Sequence, residues 1–168
     1  ADIRPEAFWF EASKSDVAGI PHLFFDEFTN NIVYMNYWYD LTVLSEDKIP
    51  YAALLTRLLG KMDAGSYGYE ELDKSLNINT GGFGSGLSLY VANYDDNKLL
   101  PRFRINVKTT VEKLDTTLAL VGAIINETKL ENKDRLYDLL KRHQSQLESS
   151  VLQNGYNIAA TRLESYYS

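Results

Sequence analysis

The chain has 168 residues, no cysteine and two histidines, and 17 Lys and Arg against 23 Asp and Glu leave a formal charge of −6. The length suits one domain, and the missing cysteine excludes a disulfide framework, a thiolate nucleophile, an iron–sulfur cluster and a Cys-ligated zinc. The acidic balance opposes a nucleic-acid partner, whose affinity comes from clustered Lys and Arg, and no apolar run reaches the roughly 18–20 residues that cross a bilayer, so neither nucleic acid nor membrane is expected as a partner.

Residues 1–19 are unperiodic apart from Phe8-Trp9-Phe10 and read as a linker with a sticky aromatic patch; no signal or transit peptide is visible in them. A short strand is predicted over Ile20–Phe25. It is expected to pair, across an Asp26–Asn31 turn, with a second strand in which Val33, Met35, Tyr37, Tyr39 and Leu41 share one face. Tyr51, Leu54, Leu55, Leu58, Leu59 and Met62 then repeat at the spacing of an amphipathic helix, with Pro50 tolerated in its first turn. A shorter helix follows over Tyr69–Ile78, with Glu70 and Glu71 favouring its N-terminal dipole.

Leu87, Leu89 and Val91 alternate with polar neighbours, as do Phe103, Ile105 and Val107, which predicts an antiparallel hairpin turning at Asp95-Asp96-Asn97. From Val111 the period becomes helical. Leu114, Leu118, Val121 and Ile125 mark one helix. Leu136, Leu139, Leu140, Leu147 and Val151 mark a long second one, and Gly155 separates it from a third over Tyr156–Tyr167. Paired strands alternating with paired helices predict an α+β domain over residues 20–168, an antiparallel β-sheet with helices packed on one face. The last residues lack a helix stop signal, so the domain is expected to be truncated at its C-terminus and its sheet incomplete. An unpaired sheet edge could then recruit another copy as a homo-oligomer.

Few residues offer chemistry. Thr80-Gly81-Gly82-Phe83-Gly84-Ser85-Gly86 fits neither a dinucleotide loop nor a P-loop in spacing or context, and reads as a loop allowing close backbone approach. Gly84-Ser85-Gly86 lacks the full nucleophile-elbow spacing. His22 and His143 have no second ligand at metal spacing, and the acidic pairs Glu70-Glu71 and Asp95-Asp96 are explained by helix and turn preferences. Arg102, Arg104 and Lys108 project from one side of a strand, opposite Phe103, Ile105 and Val107. Such a row either solvates a half-exposed sheet or holds acidic side chains or the carboxyl end of a peptide.

Four strings, Phe28-Thr29-Asn30-Asn31-Ile32-Val33-Tyr34, Pro50-Tyr51-Ala52-Ala53-Leu54-Leu55, Tyr67-Gly68-Tyr69-Glu70-Glu71-Leu72 and Asn79-Thr80-Gly81-Gly82, resemble the insulinase (pitrilysin) superfamily of zinc metallopeptidases in its presequence-protease branch. The resemblance runs from about Gly19 to the end. It implies the metallohydrolase-like fold of that superfamily and a place as the third of four homologous α+β domains, whose two halves close around a chamber and degrade unstructured peptides. In the catalytic first domain of the family the helix matching Tyr51–Met62 carries an inverted His-x-x-Glu-His motif. Here Thr56, Leu59 and Gly60 occupy those positions, so the resemblance implies no catalytic residue and no metal in this segment, with zinc held in the parent enzyme's catalytic domain. The implied role is a non-catalytic scaffold and chamber wall whose partners are the other domains of the same parent chain and peptide substrates. The alternative is a stand-alone interaction subunit pairing with an active homologue. The implied compartment is the cytoplasm for a bacterial source and the mitochondrial matrix for a eukaryotic one. Of the aromatic residues, Tyr37, Tyr39, Tyr51 and Phe103 are expected on core faces, and Phe8-Trp9-Phe10 and Tyr166-Tyr167 against parts of the parent.

Overall fold

A computed structural model describes residues 12–92 and 95–167, without the side chains of Asp96, Asn97 and Tyr167; the Phe8-Trp9-Phe10 patch lies outside the described residues. The chain separates into two compact units, one up to Asn31 and one from Ile32 onward.

In the first unit β1 (Ser13–Val17) pairs with β2 (Ile20–Phe24) as an antiparallel ribbon, with Val17 opposite Ile20 and Ser13 opposite Phe24. The expected partner of β2 is therefore replaced, and part of the expected linker is strand. The cause is local. Ala18 and Gly19 both take positive φ, 55° and 82°, the two-residue turn whose twist matches a hairpin, and the Asp16 carboxylate accepts a hydrogen bond from the Gly19 N–H at 2.7 Å. This turn closes a much shorter loop than the one expected over Asp26–Asn31, and so costs less chain entropy.

The second unit runs β3 (Ile32–Asp40), α1 (Ile49–Leu58), α2 (Tyr69–Asn79), β4 (Gly82–Ala92), β5 (Asp95–Thr110), α3 (Leu114–Glu127) and α4 (Lys133–Tyr167). Its sheet has the order β3-β5-β4, antiparallel throughout. The hairpin predicted around residues 87–108 is present but longer. β4 begins inside the glycine run, which is strand from Gly82 rather than loop, and β5 already includes Asp95, so the Asp95-Asp96-Asn97 turn is overridden by strand pairing.

β5 alternates strictly. Phe103, Ile105, Val107 and Thr109 are buried on the helix side, joined there by Leu72 and Leu76 of α2 and Leu120 and Ile124 of α3. A mixed α/β architecture with helices on one sheet face results, as expected from the paired elements. A smaller cluster seats Leu139 of α4 on Leu58 and Met62.

Three helical details differ from the periodic reading. α1 stops at Leu58 although the apolar stripe continues to Met62, because Gly60 adopts φ +75° and the Lys61 N–H turns back to the Leu58 carbonyl at 2.9 Å. Tyr51, in the first turn of α1, is 72% exposed rather than in the core. In α3 the inward stripe is Thr117, Leu120, Val121 and Ile124, and Leu118 is exposed. Thr117 can take a core position because its hydroxyl is satisfied, 3.1 Å from the Asn79 carbonyl and 3.0 Å from the Thr109 hydroxyl. Thr109 in turn donates to the same carbonyl at 2.7 Å, so one buried triangle fastens β5, α3 and the end of α2 together.

The other aromatic expectations hold in part. Phe103 is buried, Tyr37 packs half-buried against the core, and Tyr39 meets Phe103 edge-on at 6.4 Å while staying 42% exposed. Burial raises the phenol pKa of Tyr37 and of Tyr39. α4 breaks its helical geometry at Asn154, beside Gly155, where the sequence places the division between two helices.

These packings predict a graded response in urea unfolding. Met62→Ala and Leu120→Ala should each cost about 2–5 kcal/mol, because both side chains are fully buried. Leu152→Ala, on the exposed length of α4, should stay within about 0.5 kcal/mol of the parent.

Candidate functional site

Thr56, Leu59 and Gly60, which the resemblance aligns with the family's metal motif, make structural contacts. The Thr56 hydroxyl donates to the Ala53 carbonyl at 2.7 Å within α1, and the Thr56 carbonyl accepts from the Ser85 hydroxyl at 3.0 Å, which ties α1 to β4. Leu59 is buried in the main core. Gly60 is held left-handed against β4, where an added Cβ would lie 3.1 Å from the Phe83 ring and 3.5 Å from Leu76. A hydroxyl already engaged, an aliphatic side chain and a glycine supply no donor set for a zinc ion. Among the described residues no group of three His, Asp or Glu side chains is placed to hold a metal.

The remaining singled-out residues sit apart. His22 faces Ser15 across the β1–β2 ribbon, its Nδ1 3.2 Å from the hydroxyl, and His143 lies half-buried on α4. Glu70 and Glu71 occupy the first turn of α2, and that helix start is held from outside by the Asp63 carboxylate, which accepts from the Tyr69 N–H at 2.7 Å.

On the sheet face away from the helices polar and aromatic groups converge. Strand register sets three cross-strand rows there: Tyr34, Lys108 and Gly82; Asn36, Asn106 and Gly84; Trp38, Arg104 and Gly86. A fourth row joins Asp40, Arg102 and Ser88. Arg102, Arg104 and Lys108 thus share one face, as their spacing predicts, but in different states. Arg102 is engaged, pairing with Asp40 at 2.9 Å and donating to the Pro101 carbonyl at 3.0 Å. Arg104 stacks over Trp38 at 5.8 Å, and the Trp38 ring meets Tyr90 edge-on at 5.4 Å. The Arg104 Nε is buried without an acceptor among the described residues. Around Arg104 and Lys108 the face forms an open depression of about 460 Å³, bordered by Tyr34, Asn36, Asn106, Gly81 and Gly82.

Sequence reasoning missed Trp38, Tyr34, Tyr90 and the three glycines as members of this face. The signal was the period of two along each strand, but it becomes a site only once β3 is paired with β5. Gly81 and Gly82 border the depression, and along β4 the Lys108 stem lies beside Gly82 and the Asn106 amide beside Gly84.

Two measurements check this geometry. The triple variant T56H/L59E/G60H should bind no stoichiometric zinc by calorimetry and should melt well below the parent, since it buries an unpaired carboxylate at position 59 at a cost of several kcal/mol. The Asp40 carboxyl is held below its ordinary value by hydrogen bonds from the Thr42 N–H and hydroxyl, with Arg102 adding attraction. A carboxyl lowered in the folded state stabilises above its unfolded pKa, and that contribution is lost as pH falls through the folded value. Asp40→Asn should therefore flatten the acid limb of a stability–pH profile and leave its neutral limb parallel to the parent.

Comparison with known proteins assigns the whole chain. The family model for the region associated with the peptidases of family M16, subfamily C, matches residues 1–168. The chain is similar to Protein HypA of Clostridium perfringens, 32% identical over 165 residues that cover 98% of this chain and 17% of that protein. It is similar also to Presequence protease 1, chloroplastic/mitochondrial, of Arabidopsis thaliana, 24% identical over 97% of this chain and 15% of the relative. The mitochondrial presequence protease of Drosophila melanogaster is 23% identical over 92% of this chain and 15% of its own length. The chain therefore spans about one sixth of the relatives it matches. The protein belongs to the associated family of the subfamily C peptidases of M16, within the presequence-protease-like branch of the insulinase superfamily.

Proposed function

We propose that this segment is a non-catalytic scaffold and chamber-wall domain of a larger zinc metallopeptidase that degrades unstructured peptides. The observation that carries the reading is the use of Thr56, Leu59 and Gly60 for packing at the positions where a catalytic copy of the fold would hold its metal and base. The family match and the small share of each relative that the chain covers support a part within a larger enzyme. Zinc then belongs to a separate catalytic domain of the parent, and the partners of this segment are the other domains of that chain and the peptides they enclose. The compartment follows the parent: cytoplasm in a bacterium, mitochondrial matrix in a eukaryote.

The long exposed reach of α4 favours contact with further protein. Leu147, Val151, Leu152, Tyr156 and Leu163 are all exposed there, although a helix with that many apolar side chains gains most of its stability by covering them. Such contact serves a domain within a chain, and equally a separate subunit that pairs with an active homologue.

The test is functional and metal-directed. The 168-residue chain, incubated with zinc and an unstructured peptide, should show neither stoichiometric zinc binding nor cleavage by mass spectrometry. Tight one-to-one zinc binding with peptide hydrolysis would contradict the proposal.

A further inference from the structure

We infer that the outer face of the β3-β5-β4 sheet is a binding site for an extended acidic peptide segment, with Arg104 and Lys108 as its two carboxylate receptors and Trp38 as its stacking wall. This deepens the chamber-wall reading and rests on it for the biological setting, while binding itself is a property of this chain alone.

The charge state of the face argues for an anionic ligand. In a chain of net charge −6, two cations stand four residues apart on one strand, and neither is ion-paired to a described carboxylate. Arg102, the third member of the row, differs because Asp40 already holds it. The Arg104 guanidinium lies over the Trp38 ring, which orients a planar fork suited to bidentate carboxylate contact, whereas Lys108 offers a point charge.

The shape argues for an extended chain. Arg104 and Lys108 are about 13 Å apart along β5 at roughly 3.3 Å per residue, which is the span between side chains i and i+4 of another extended strand. Asn106 lies midway between them, with Asn36 opposite, and both amides can pair with a peptide backbone. On the β4 side Gly82, Gly84 and Gly86 add no side chains; the Lys108 stem lies beside Gly82 and the Asn106 amide beside Gly84, so a ligand backbone meets that amide directly, and Gly86 beside Arg104 stays uncovered. Tyr34 at one end and Trp38 with Tyr90 at the other border this stretch.

Nucleic acid fits less well. Aromatic side chains on a sheet can stack bases, but the chain is acidic overall, with a net charge of −6, and phosphate-backbone affinity grows with the number of phosphates neutralised.

The experiment uses the 168-residue chain carrying Trp9→Phe, so that Trp38 is the sole tryptophan. Three labelled unstructured peptides of equal length are titrated by anisotropy, with Glu, Gln or Lys at two positions four residues apart, and Trp38 emission is followed in parallel. The Glu peptide should bind and change Trp38 emission, and the Gln peptide should bind at least about tenfold more weakly, the scale of a charge-assisted contact. Arg104→Gln and Lys108→Gln should each weaken the Glu peptide by a similar factor, and Arg102→Gln should not. The pair R104E/K108E should transfer preference to the Lys peptide, a gain that misfolding cannot produce.

Equal affinity for the Glu and Gln peptides would overturn the inference, as would binding indifferent to Arg104 and Lys108. Stronger competition by a single-stranded oligonucleotide than by the Glu peptide would do the same. So would a change in Trp38 emission that follows self-association of the chain without peptide. Because none of these readouts involves zinc or hydrolysis, failure here leaves the chamber-wall test independent.

Discussion

Everything in the second unit depends on β5 being the middle strand of its sheet, paired on both edges and strictly alternating. Phe103, Ile105, Val107 and Thr109 must point toward the helices, and that obliges Arg102, Arg104, Asn106 and Lys108 to point the other way. A slip of one residue would bury two arginines and a lysine and expose the core of the unit. The register is therefore held by the cost of burying charge as much as by apolar contact. The Thr109–Thr117–Asn79 triangle sets the same register from the helix side, since a displaced Thr109 would leave its hydroxyl and the Asn79 carbonyl without that hydrogen bond.

The two sheet faces thus come to opposite chemistries from one strand. On the helix side, Thr56, Leu59 and Gly60 serve packing: a hydroxyl bonded within its own helix, a buried leucine and a left-handed glycine against Phe83. On the other side, Lys108 and Asn106 lean across the glycines of β4, and Arg104 lies over the Trp38 ring. One strand thus gives one face packed with apolar side chains and another that is charged and aromatic.

Much of this was legible in the residues, and the rest was hidden for physical reasons. Strand β5 and its hairpin with β4 follow from simple alternation, and α1 and α2 from their helical stripes. The partner of β3 was not legible, because alternation shows that a segment is strand and says nothing of what it pairs with across a long separation in sequence. The stop of α1 was masked by Leu59 and Met62, which extend the apolar stripe past Gly60. In α3 the true inward residue Thr117 is polar, so a count of apolar positions shifts to Leu118. The basic row was visible as a pattern; that Arg102 is neutralised while Arg104 is not depends on Asp40 and Trp38 arriving from β3.

The division into an apolar core on the helix side and an exposed polar and aromatic sheet face is the central claim, and hydroxyl-radical footprinting read by mass spectrometry tests it residue by residue. Tyr34, Trp38 and Tyr90 should oxidise rapidly while Met62 and Phe103 stay protected, even though methionine sulfur is intrinsically reactive. Protection of Trp38 and Tyr90 equal to that of Met62 and Phe103 would contradict the account, because the sheet face would then be closed.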